Sequence, residues 1–561
     1  MDKLGPGPFV LSLVLLFSTV LLTTPALGQA TLVPAGSIWK YLDDGTDQGS
    51  AWREPALNDS AWPSGRAQLG YGEGDEATVI GYGPDSRRKH VTTYLRHSFS
   101  VSDPSQYRGL KLKVLRDDGA VIYLNNSEIA RSNMPSGTVS RLTPASSNVS
   151  GADEDTFHDF FVGPDRLVAG TNVLAVEIHQ SSRTSSDASF DLELWATGVM
   201  RKSPYLIYEG DNTEMKVLWQ LNSAGASTIA WGADTFYSAG SAQTSEYGSD
   251  HQHVYTITNL TPCARYYYRV VADTNTFRGS FRAAPPADAG RTKFIVYGDS
   301  RSYPEDHDWV AGSIVSTCVA DSDFQSVIVS VGDLVNNGDQ ETDWDTELFD
   351  ADYSQIREMF GTMPYQSVMG NHEQSGLLFS KYFPYPFVND RYWSFDYGPA
   401  HFVMLDQYSD YGPGSPQLDW IESDLASTDK PWKFVCMHEP GWSAGPHANN
   451  VIVQDYIQPL CEKYGVAVLF AGHNHYYARA EVNGVEHITA GGGGAPLYPP
   501  DTAYPHVVTG TRALHYCKVE IDGDSLELTV AKPGGKVIDH FTLTRTLNGD
   551  KPVPYSPRGS R

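Results

Sequence analysis

The pattern of apolar and polar positions predicts short β-strands over the first third of the chain. Between residues 31 and 198, runs of alternating apolar and polar residues are separated by Asp, Asn and Gly, as at Asp117-Asp118-Gly119. Alternation with a period of two predicts strands that bury one face, and the turn residues predict where the strands end. We therefore predict a β-sandwich over residues 31–198.

Two segments of this region, Arg116–Arg131 and Gly170–Gln180, carry a family resemblance. They resemble the galactose-binding-like jelly-roll modules that are attached to many secreted bacterial enzymes. The resemblance implies either carbohydrate binding or an accessory packing role, and both interpretations stay open at the level of the sequence.

A second, shorter β unit is predicted over residues 199–285. Met215–Trp219 and Ser227–Trp231 have the composition of strands, and the segment Leu260–Val270 places a leucine and a proline ahead of three consecutive tyrosines. This last segment resembles the fibronectin type III signature, in which a tyrosine stands at a corner of the sandwich. We interpret the unit as a fibronectin type III-like spacer.

The pattern changes again after residue 291. Lys293–Tyr297 and Ser326–Val331 are continuous apolar runs, and Asp308–Val319, between them, has helical spacing. Strands that are buried on both faces and alternate with helices predict an α/β domain. We assign residues 291–545 to this domain, expect a helix around Glu347–Phe360, and treat residues 546–561 as a tail.

The N-terminus predicts export. Lys3 precedes the apolar run Phe9–Leu22, and small residues follow at Ala26–Gly28. This order is typical of a secretory signal peptide, here residues 1–28, and the run is short for a span of about 20 residues. We expect a secreted or periplasmic protein with no membrane span after signal removal; an uncleaved anchor is the alternative.

The charge balance excludes one class of partner. The chain has 41 Lys and Arg against 67 Asp and Glu, a formal net charge of −26 at pH 7. A broad nucleic-acid-binding surface depends on clustered basic residues and is therefore not expected. A small phosphorylated substrate remains compatible with this charge, because bound metal ions can supply positive charge locally.

Residues of metal-ligand type follow the predicted strands of the α/β domain. The motifs are Gly-Asp299, Gly-Asp333, Gly-Asn371-His372-Glu373, His438 and Gly-His473-Asn-His475. The carboxyl ends of strands in an open α/β sheet border the crevice where ligands bind. Carboxylate, amide and imidazole groups that converge there are suited to two divalent ions.

In this order the motifs resemble the calcineurin-like metallophosphoesterase superfamily, and the preceding fibronectin-like unit makes them most similar to its purple acid phosphatase branch. The resemblance covers about residues 200–540 and implies an α/β/β/α sandwich with a dinuclear metal centre. Carried over by position, the ligands are Asp299 and His475 for the first metal, Asp333 for both metals, and Asn371, His438 and His473 for the second.

The resemblance also implies a reaction. It is the hydrolysis of phosphomonoesters by a hydroxide bound to two divalent or mixed-valence ions of Fe, Zn or Mn. His372 is expected to orient the substrate or protonate the leaving alkoxide. His447 lies where purple acid phosphatases carry a second substrate-facing histidine, and an exposed loop residue is the competing interpretation.

Two positions depart from the family pattern. Most metallophosphoesterases have a ligand histidine two residues after the first Asp, where this chain has Arg301. Purple acid phosphatases have a tyrosine three residues after the second Asp, where this chain has Asn336. Asn336 could bind the first metal weakly. Arg301 cannot bind a cation, so it either holds a phosphate oxygen of the substrate or pairs with a nearby acid.

Other functions remain open at this stage. The same centre would serve a phosphodiesterase acting on cyclic nucleotides, glycerophosphodiesters or lipid headgroups. A carbohydrate-binding protein with a degenerate metal site is a further alternative. The glycine run Gly491–Gly494 lacks the lysine of a phosphate-binding P-loop, so we expect a close-packed loop near the site.

Overall fold

The fold is derived from a computed structural model. It describes residues 30–545 except Ser249, Thr274 and Asp390, together with the pairs 547–548, 551–552 and 556–557. The predicted signal peptide at residues 1–28 lies outside the described residues. None of the helices in the described part of the chain has the length and apolar content needed to span a bilayer.

The first unit consists of two six-stranded sheets. One has the order β10-β7-β12-β4-β5 with β1 beside β12, and the other has the order β3-β2-β6-β11-β8-β9. Alternate residues of both sheets form one apolar core that includes Leu112, Leu192 and Val176. The strands are β1 Ala30–Val33, β2 Ile38–Leu42, β3 Ser64–Arg66, β4 Leu69–Tyr71, β5 Thr78–Val79, β6 Thr92–Val101, β7 Gly109–Asp117, β8 Gly119–Leu124, β9 Ser127–Ser132, β10 Phe157–Val162, β11 Gly170–His179 and β12 Ala188–Thr197.

The second unit is a smaller sandwich with sheets β13-β14-β17 and β16-β15-β18-β19. Trp219 and Tyr268 fill its core. The hydroxyl of Tyr266 accepts a hydrogen bond from the backbone N–H of Thr261 at 3.0 Å, so this tyrosine ties the preceding loop to the sheet. The strands are β13 Met200–Ile207, β14 Met215–Leu221, β15 Ser227–Gly232, β16 Gly240–Thr244, β17 Gln252–Ile257, β18 Arg265–Ala272 and β19 Asn275–Arg282.

The third unit contains two seven-stranded sheets, β22-β21-β20-β30-β31-β32-β35 and β23-β24-β25-β26-β28-β27-β29. Its strands are β20 Arg291–Tyr297, β21 Ile328–Ser330, β22 Tyr365–Ser367, β23 Trp393–Tyr397, β24 Ala400–Met404, β25 Trp432–Cys436, β26 Val466–Ala471, β27 Tyr477–Val482, β28 Val485–Ala490, β29 Val507–Thr511, β30 Tyr516–Asp522, β31 Ser525–Ala531 and β32 Val537–Thr544, with the short β33 Leu547–Asn548, β34 Lys551–Pro552 and β35 Ser556–Pro557 in the tail. Its helices are α1 Pro304–Ala320, α2 Glu341–Asp343, α3 Ser354–Thr362, α4 Leu377–Tyr382, α5 Pro416–Ser427 and α6 Gln458–Tyr464.

The two large sheets pack face to face between helices. Phe294 of β20 contacts Phe402 of β24 across the interface, with ring centroids 5.0 Å apart. Tyr297, on the opposite face of β20, hydrogen-bonds His307 of α1 at 2.9 Å. In the second sheet Val403, the neighbour of Phe402, packs with residues of α5 and α6 instead. The alternation of faces along β20 and β24 therefore produces a helix–sheet–sheet–helix arrangement.

The predicted helix around Glu347–Phe360 is wrong in its first half. Trp344–Leu348 forms a single wide turn, and α3 begins only at Ser354. Asp350, between them, accepts the backbone N–H of Asp352 at 3.0 Å and pairs with Lys111 of the first sandwich. A side chain that bonds its own backbone two residues ahead competes with helix formation, which explains the interruption.

Candidate metal centre

The predicted ligands come from the ends of strands in both large sheets. Asp299, Asp333 and Asn371 follow β20, β21 and β22, which are adjacent and parallel. His438 and His473 follow β25 and β26, which are adjacent and parallel in the other sheet. Because the sheets pack face to face, the two sets of strand ends meet at one edge of the sandwich.

Three of these residues adopt left-handed backbone conformations. The φ angles are +57° at Asp299, +57° at Asp333 and +65° at His473. Such values cost a residue with a Cβ roughly 1–2 kcal/mol, and they persist where the surrounding structure imposes them. Each residue follows a glycine, and the turn at the strand end directs its side chain into the crevice.

Glycines allow the backbone to pack closely against the two aspartates. A Cβ added at Gly370 would lie 2.2 Å from Asp333 Oδ1, and one at Gly472 would lie 2.3 Å from Asp299 Oδ2. A Cβ at Gly491 would also lie 2.8 Å from Asp299 Oδ2. The run Gly491–Gly494 therefore packs against the site as a close loop, as predicted.

Four donor atoms converge at the position predicted for the second metal. Asn371 Oδ1 lies 2.9 Å from His473 Nδ1 and 3.2 Å from His438 Nε2. His438 Nε2 in turn lies 3.3 Å from Asp333 Oδ1. One amide oxygen, two imidazole nitrogens and one carboxylate oxygen thus face a common centre, which is the donor set of a borderline divalent ion.

Backbone carbonyls orient two of the imidazoles. His438 donates Nδ1–H to the carbonyl oxygen of Val331 at 2.7 Å, and His475 donates Nδ1–H to that of Pro496 at 2.9 Å. Each bond leaves Nε2 directed at the carboxylates. Such bonds are the outer-shell contacts that set the tautomer of metal-binding histidines.

The first-metal residues have a different neighbour. His475 Nε2 lies 3.6 Å from Asp299 Oδ1, as expected for ligands of one ion. The Arg301 guanidinium, however, lies against the residues predicted to bind this ion. Its Nε is 3.3 Å from Asp333 Oδ2, and one Nη is 3.4 Å from His475 Nε2. The other Nη is 3.4 Å from Asn336 Oδ1. Of the two interpretations left open for Arg301, the ion pair with a nearby acid is the contact present.

The protonation equilibria reflect buried opposite charges. Burial acts to raise the pKa of Asp333, but His438 and His372 outweigh it and hold that pKa well below its usual range. Burial acts to lower the pKa of His438, and Asp333 reverses this and raises it. Burial lowers the pKa of His473 to about 3 and that of His475 to about 4. These two imidazoles are therefore neutral at ordinary pH and keep a lone pair for a cation.

The residues at this edge fit a metal ion. Asp299, Asp333 and His438 are buried and can each offer a ligand atom within 4.8 Å of the others. The carboxylates of Asp299 and Asp333 are almost fully buried, and buried charges of one sign are costly unless cations offset them. The fit is complete for the second position, whereas Arg301 already contacts two donors of the first.

The two predicted catalytic histidines lie at the rim. His372 directs Nδ1 to the carbonyl oxygen of Asn336, and its Nε2 is 4.0 Å from Asp333 Oδ2. His447 is exposed, and its ring centroid lies 4.2 Å from that of His473. Both are thus close enough to contact a substrate above the ligands, and their roles stay predictions.

Three further residues hold the ligands in place. The buried carboxylate of Glu373 accepts the backbone N–H groups of Asp333 and Leu334 at 3.0 and 2.8 Å. Gln407 Oε1 accepts the N–H of His438 at 2.9 Å, and the Tyr498 hydroxyl donates to the carbonyl of His473 at 2.9 Å. None of the three was predicted from the sequence; only Glu373 has a signal there, as the last residue of the Asn371-His372-Glu373 motif.

Two protein-family models match the chain. One, described as calcineurin-like phosphoesterase, matches residues 269–477. The other, described as purple acid phosphatase, N-terminal domain, matches residues 202–283. The first covers every predicted metal ligand, and the second covers most of the smaller sandwich.

Curated relatives and a solved structure agree with these matches. The chain is 25% identical over 297 residues to probable purple acid phosphatase 20 of Arabidopsis thaliana, which is 47% of this chain and 66% of the relative. It is 26% identical over 272 residues to probable inactive purple acid phosphatase 27 of the same plant, which is 40% of this chain and 43% of the relative. The chain thus spans less than two thirds of the length of either relative.

The structure of a purple acid phosphatase isolated from yellow lupin (Lupinus luteus) seeds has a similar fold. The TM-score is 0.54 at 18% identity, over 81% of this chain and 93% of the lupin chain. The chain therefore contains a calcineurin-like metallophosphoesterase domain, preceded by the N-terminal domain of purple acid phosphatases.

Proposed function

We propose that this chain is a metal-dependent phosphoesterase that hydrolyses phosphomonoesters. The observation that carries the proposal is the convergence of Asp333, Asn371, His438 and His473 on one centre. The successive contacts are 3.3 Å from Asp333 to His438, 3.2 Å from His438 to Asn371 and 2.9 Å from Asn371 to His473. The matched phosphoesterase family and the phosphatase relatives support the same reaction class. Export of the mature protein, expected from residues 1–28, belongs to the same proposal.

The residues of the site divide the work among themselves. Asp333, Asn371, His438 and His473 would hold one divalent ion, and Asp299 and His475 would bind a second beside Asp333. When bound, such ions lower the pKa of coordinated water and offset the charge on phosphoryl oxygens. The bound metal would be Fe, Zn or Mn, since the donor set suits each of them.

The rim histidines would act on the substrate. His372 keeps Nδ1 on the Asn336 carbonyl, so its Nε2 is the atom that can deliver a proton to the leaving alkoxide. His447 is exposed beside His473 and is placed to contact the phosphoryl group or the alcohol. The side chains of Glu373 and Gln407 accept the backbone N–H groups of Asp333 and His438 and would keep the ligand loops in position during turnover.

The experiment compares p-nitrophenyl phosphate with bis(p-nitrophenyl) phosphate as substrates of the mature protein, before and after chelation. We expect hydrolysis of the monoester, loss of activity with the chelator, and recovery on addition of Zn, Mn or Fe. His438→Ala and Asn371→Ala should abolish both activity and metal content, whereas the exposed His540→Ala should change neither.

The outcomes separate the alternatives. A higher kcat/KM on the diester would replace the proposal by a phosphodiesterase. No metal and no hydrolysis after reconstitution would reject it. The carbohydrate-binding role left open for residues 31–198 has no support from the matching families, since neither family model extends to that region.

A further inference from the structure

The guanidinium of Arg301 lies among the donors of the first metal position. Its Nε contacts Asp333 Oδ2 at 3.3 Å, and one Nη contacts His475 Nε2 at 3.4 Å. The side chain is 15% exposed, so these contacts are largely removed from water. A guanidinium has only N–H donors and stays protonated, which means that it uses the same lone pairs that a metal ion would need.

A scaffold holds Arg301 in this position. Its second Nη donates to Ser302 Oγ at 2.9 Å. The carboxylate of Glu347 accepts the backbone N–H of Ser302 at 2.7 Å and that of Asn336 at 2.9 Å. Glu347 thus ties the loop after β20 to the loop after β21, and Arg301 spans the gap between them.

The second metal position is clear of this side chain. Among the described residues, the hydrogen bonds of Arg301 reach Ser302, Asp333, Asn336 and His475. The atoms that converge on the other position belong to Asn371, His438, His473 and the other oxygen of Asp333. The two oxygens of the Asp333 carboxylate therefore face two different groups, the guanidinium of Arg301 at Oδ2 and the imidazole of His438 at Oδ1.

We propose that Arg301 is a built-in cation at the first metal position, so that the chain binds one divalent ion tightly and a second only when Arg301 is displaced. This inference rests on the proposed function, because it concerns the same centre. The tight ion is held by Asp333, Asn371, His438 and His473. A second ion must take Asp333 Oδ2 and His475 Nε2 from the guanidinium and must also approach its positive charge.

Metal stoichiometry tests the proposal directly. The mature protein and its variants are stripped with a chelator, titrated with Zn²⁺, desalted and analysed for zinc per chain. We expect about one zinc per chain for the wild type and about two for Arg301→His, since an imidazole supplies a ligand where the guanidinium supplied a competing charge. Arg301→Gln, which keeps polar contacts and removes the charge, should fill the first metal position at about tenfold lower zinc than the wild type.

The controls make the outcome decisive. Arg291→Ala removes an exposed arginine paired with Asp522 at 2.6 Å and should keep the wild-type stoichiometry. Circular dichroism confirms that each variant is folded. Two tightly bound zinc ions in the wild type, with no change in Arg301→Gln, would overturn the proposal and leave the phosphoesterase assignment intact. No zinc in the wild type or in any variant would overturn both.

The same variants separate this role from a phosphate contact. If Arg301 only holds a phosphate oxygen, Arg301→Gln should raise KM while zinc per chain and the zinc concentration for half-saturation stay unchanged. That result would also overturn the proposal.

Discussion

The carboxylate of Glu373 accepts a hydrogen bond of 3.0 Å from the backbone N–H of Asp333. Asp333 is the residue whose two carboxylate oxygens face the two predicted metal positions. The Glu373 carboxylate also accepts the N–H of Leu334 at 2.8 Å and that of Gly370 at 2.5 Å. Glu373 is fully buried, so one side chain fixes the backbone on both sides of the centre.

Removing this carboxylate should disorder the centre. Glu373→Ala leaves three buried N–H groups without an acceptor, at about 1–3 kcal/mol each. We expect a large loss of stability, a loss of bound metal and a fall in kcat/KM, measured by urea unfolding, elemental analysis and monoester hydrolysis. The exposed Glu358→Ala on α3 is the control, and equal effects of the two substitutions would contradict the prediction.

His372 should matter in proportion to the basicity of the leaving group. If its Nε2 protonates the leaving alkoxide, His372→Asn lowers kcat by roughly 10²–10⁴-fold for an alkyl phosphate. The loss should be much smaller for p-nitrophenyl phosphate, because nitrophenolate leaves without a proton. Steady-state kinetics on both substrates checks this, with metal content measured to show that the ligands are intact. An equal loss on both substrates would rule out the proton-donor role.

Lys202 links the smaller sandwich to the third unit through a buried ion pair. It is fully buried and contacts Asp345, which is 2% exposed, and Glu341 at 3.2 Å. Arg201 also pairs with Asp345 at 2.6 Å. Lys202→Met therefore leaves that carboxylate with one cation instead of two, and we expect a loss of about 1–3 kcal/mol in unfolding free energy. The matched exposed pair is Lys463 with Glu422, and Lys463→Met should change stability much less than Lys202→Met does, because solvent screens an exposed pair. Urea midpoints that are equal for the two variants would show that the buried pair does not join the units.

His401 should make stability depend on pH. Its ring lies 2.8 Å from Asp396 and 2.8 Å from Asp424, on either side, with Lys430 3.7 Å from Asp396. Burial acts to lower the pKa of His401, but hydrogen bonds to the two carboxylates outweigh it and raise the pKa above its usual value. A raised pKa means that the folded protein binds the proton more tightly than the unfolded chain does.

The contribution of His401 is therefore complete below about pH 6.5 and is lost as the pH rises through the raised pKa. His401→Asn should destabilise the protein at pH 5.5 by more than at pH 9, with a difference on the order of 1 kcal/mol. Thermal or urea unfolding at both pH values measures it. The exposed His540→Asn serves as the comparison, and a penalty for His401→Asn that does not change with pH would refute the prediction.

Part of this fold could be predicted from local pattern. The period-two alternation predicted the β regions, and the apolar runs that end in Gly-Asp or Gly-His predicted strands with ligand residues at their ends. The interruption of the helix before Ser354 was not predicted. Asp350 accepts a hydrogen bond from the backbone N–H of Asp352 and pairs with Lys111, which lies 239 residues away in the sequence. Such a partner leaves no trace in the local sequence.

The sequence by itself determined which residue types could bind metal and that each would follow a strand, since strand periodicity and glycine turns are local properties. Only the tertiary structure decided which strands belong to which of the two sheets and that His438 and His473 meet Asn371 across their interface. It also decided the place of Arg301, which the sequence excluded as a ligand but left between a substrate contact and an ion pair. Its distances to Asp333 and His475 depend on how loops from both sheets pack, and packing over such sequence separations is set by the whole core.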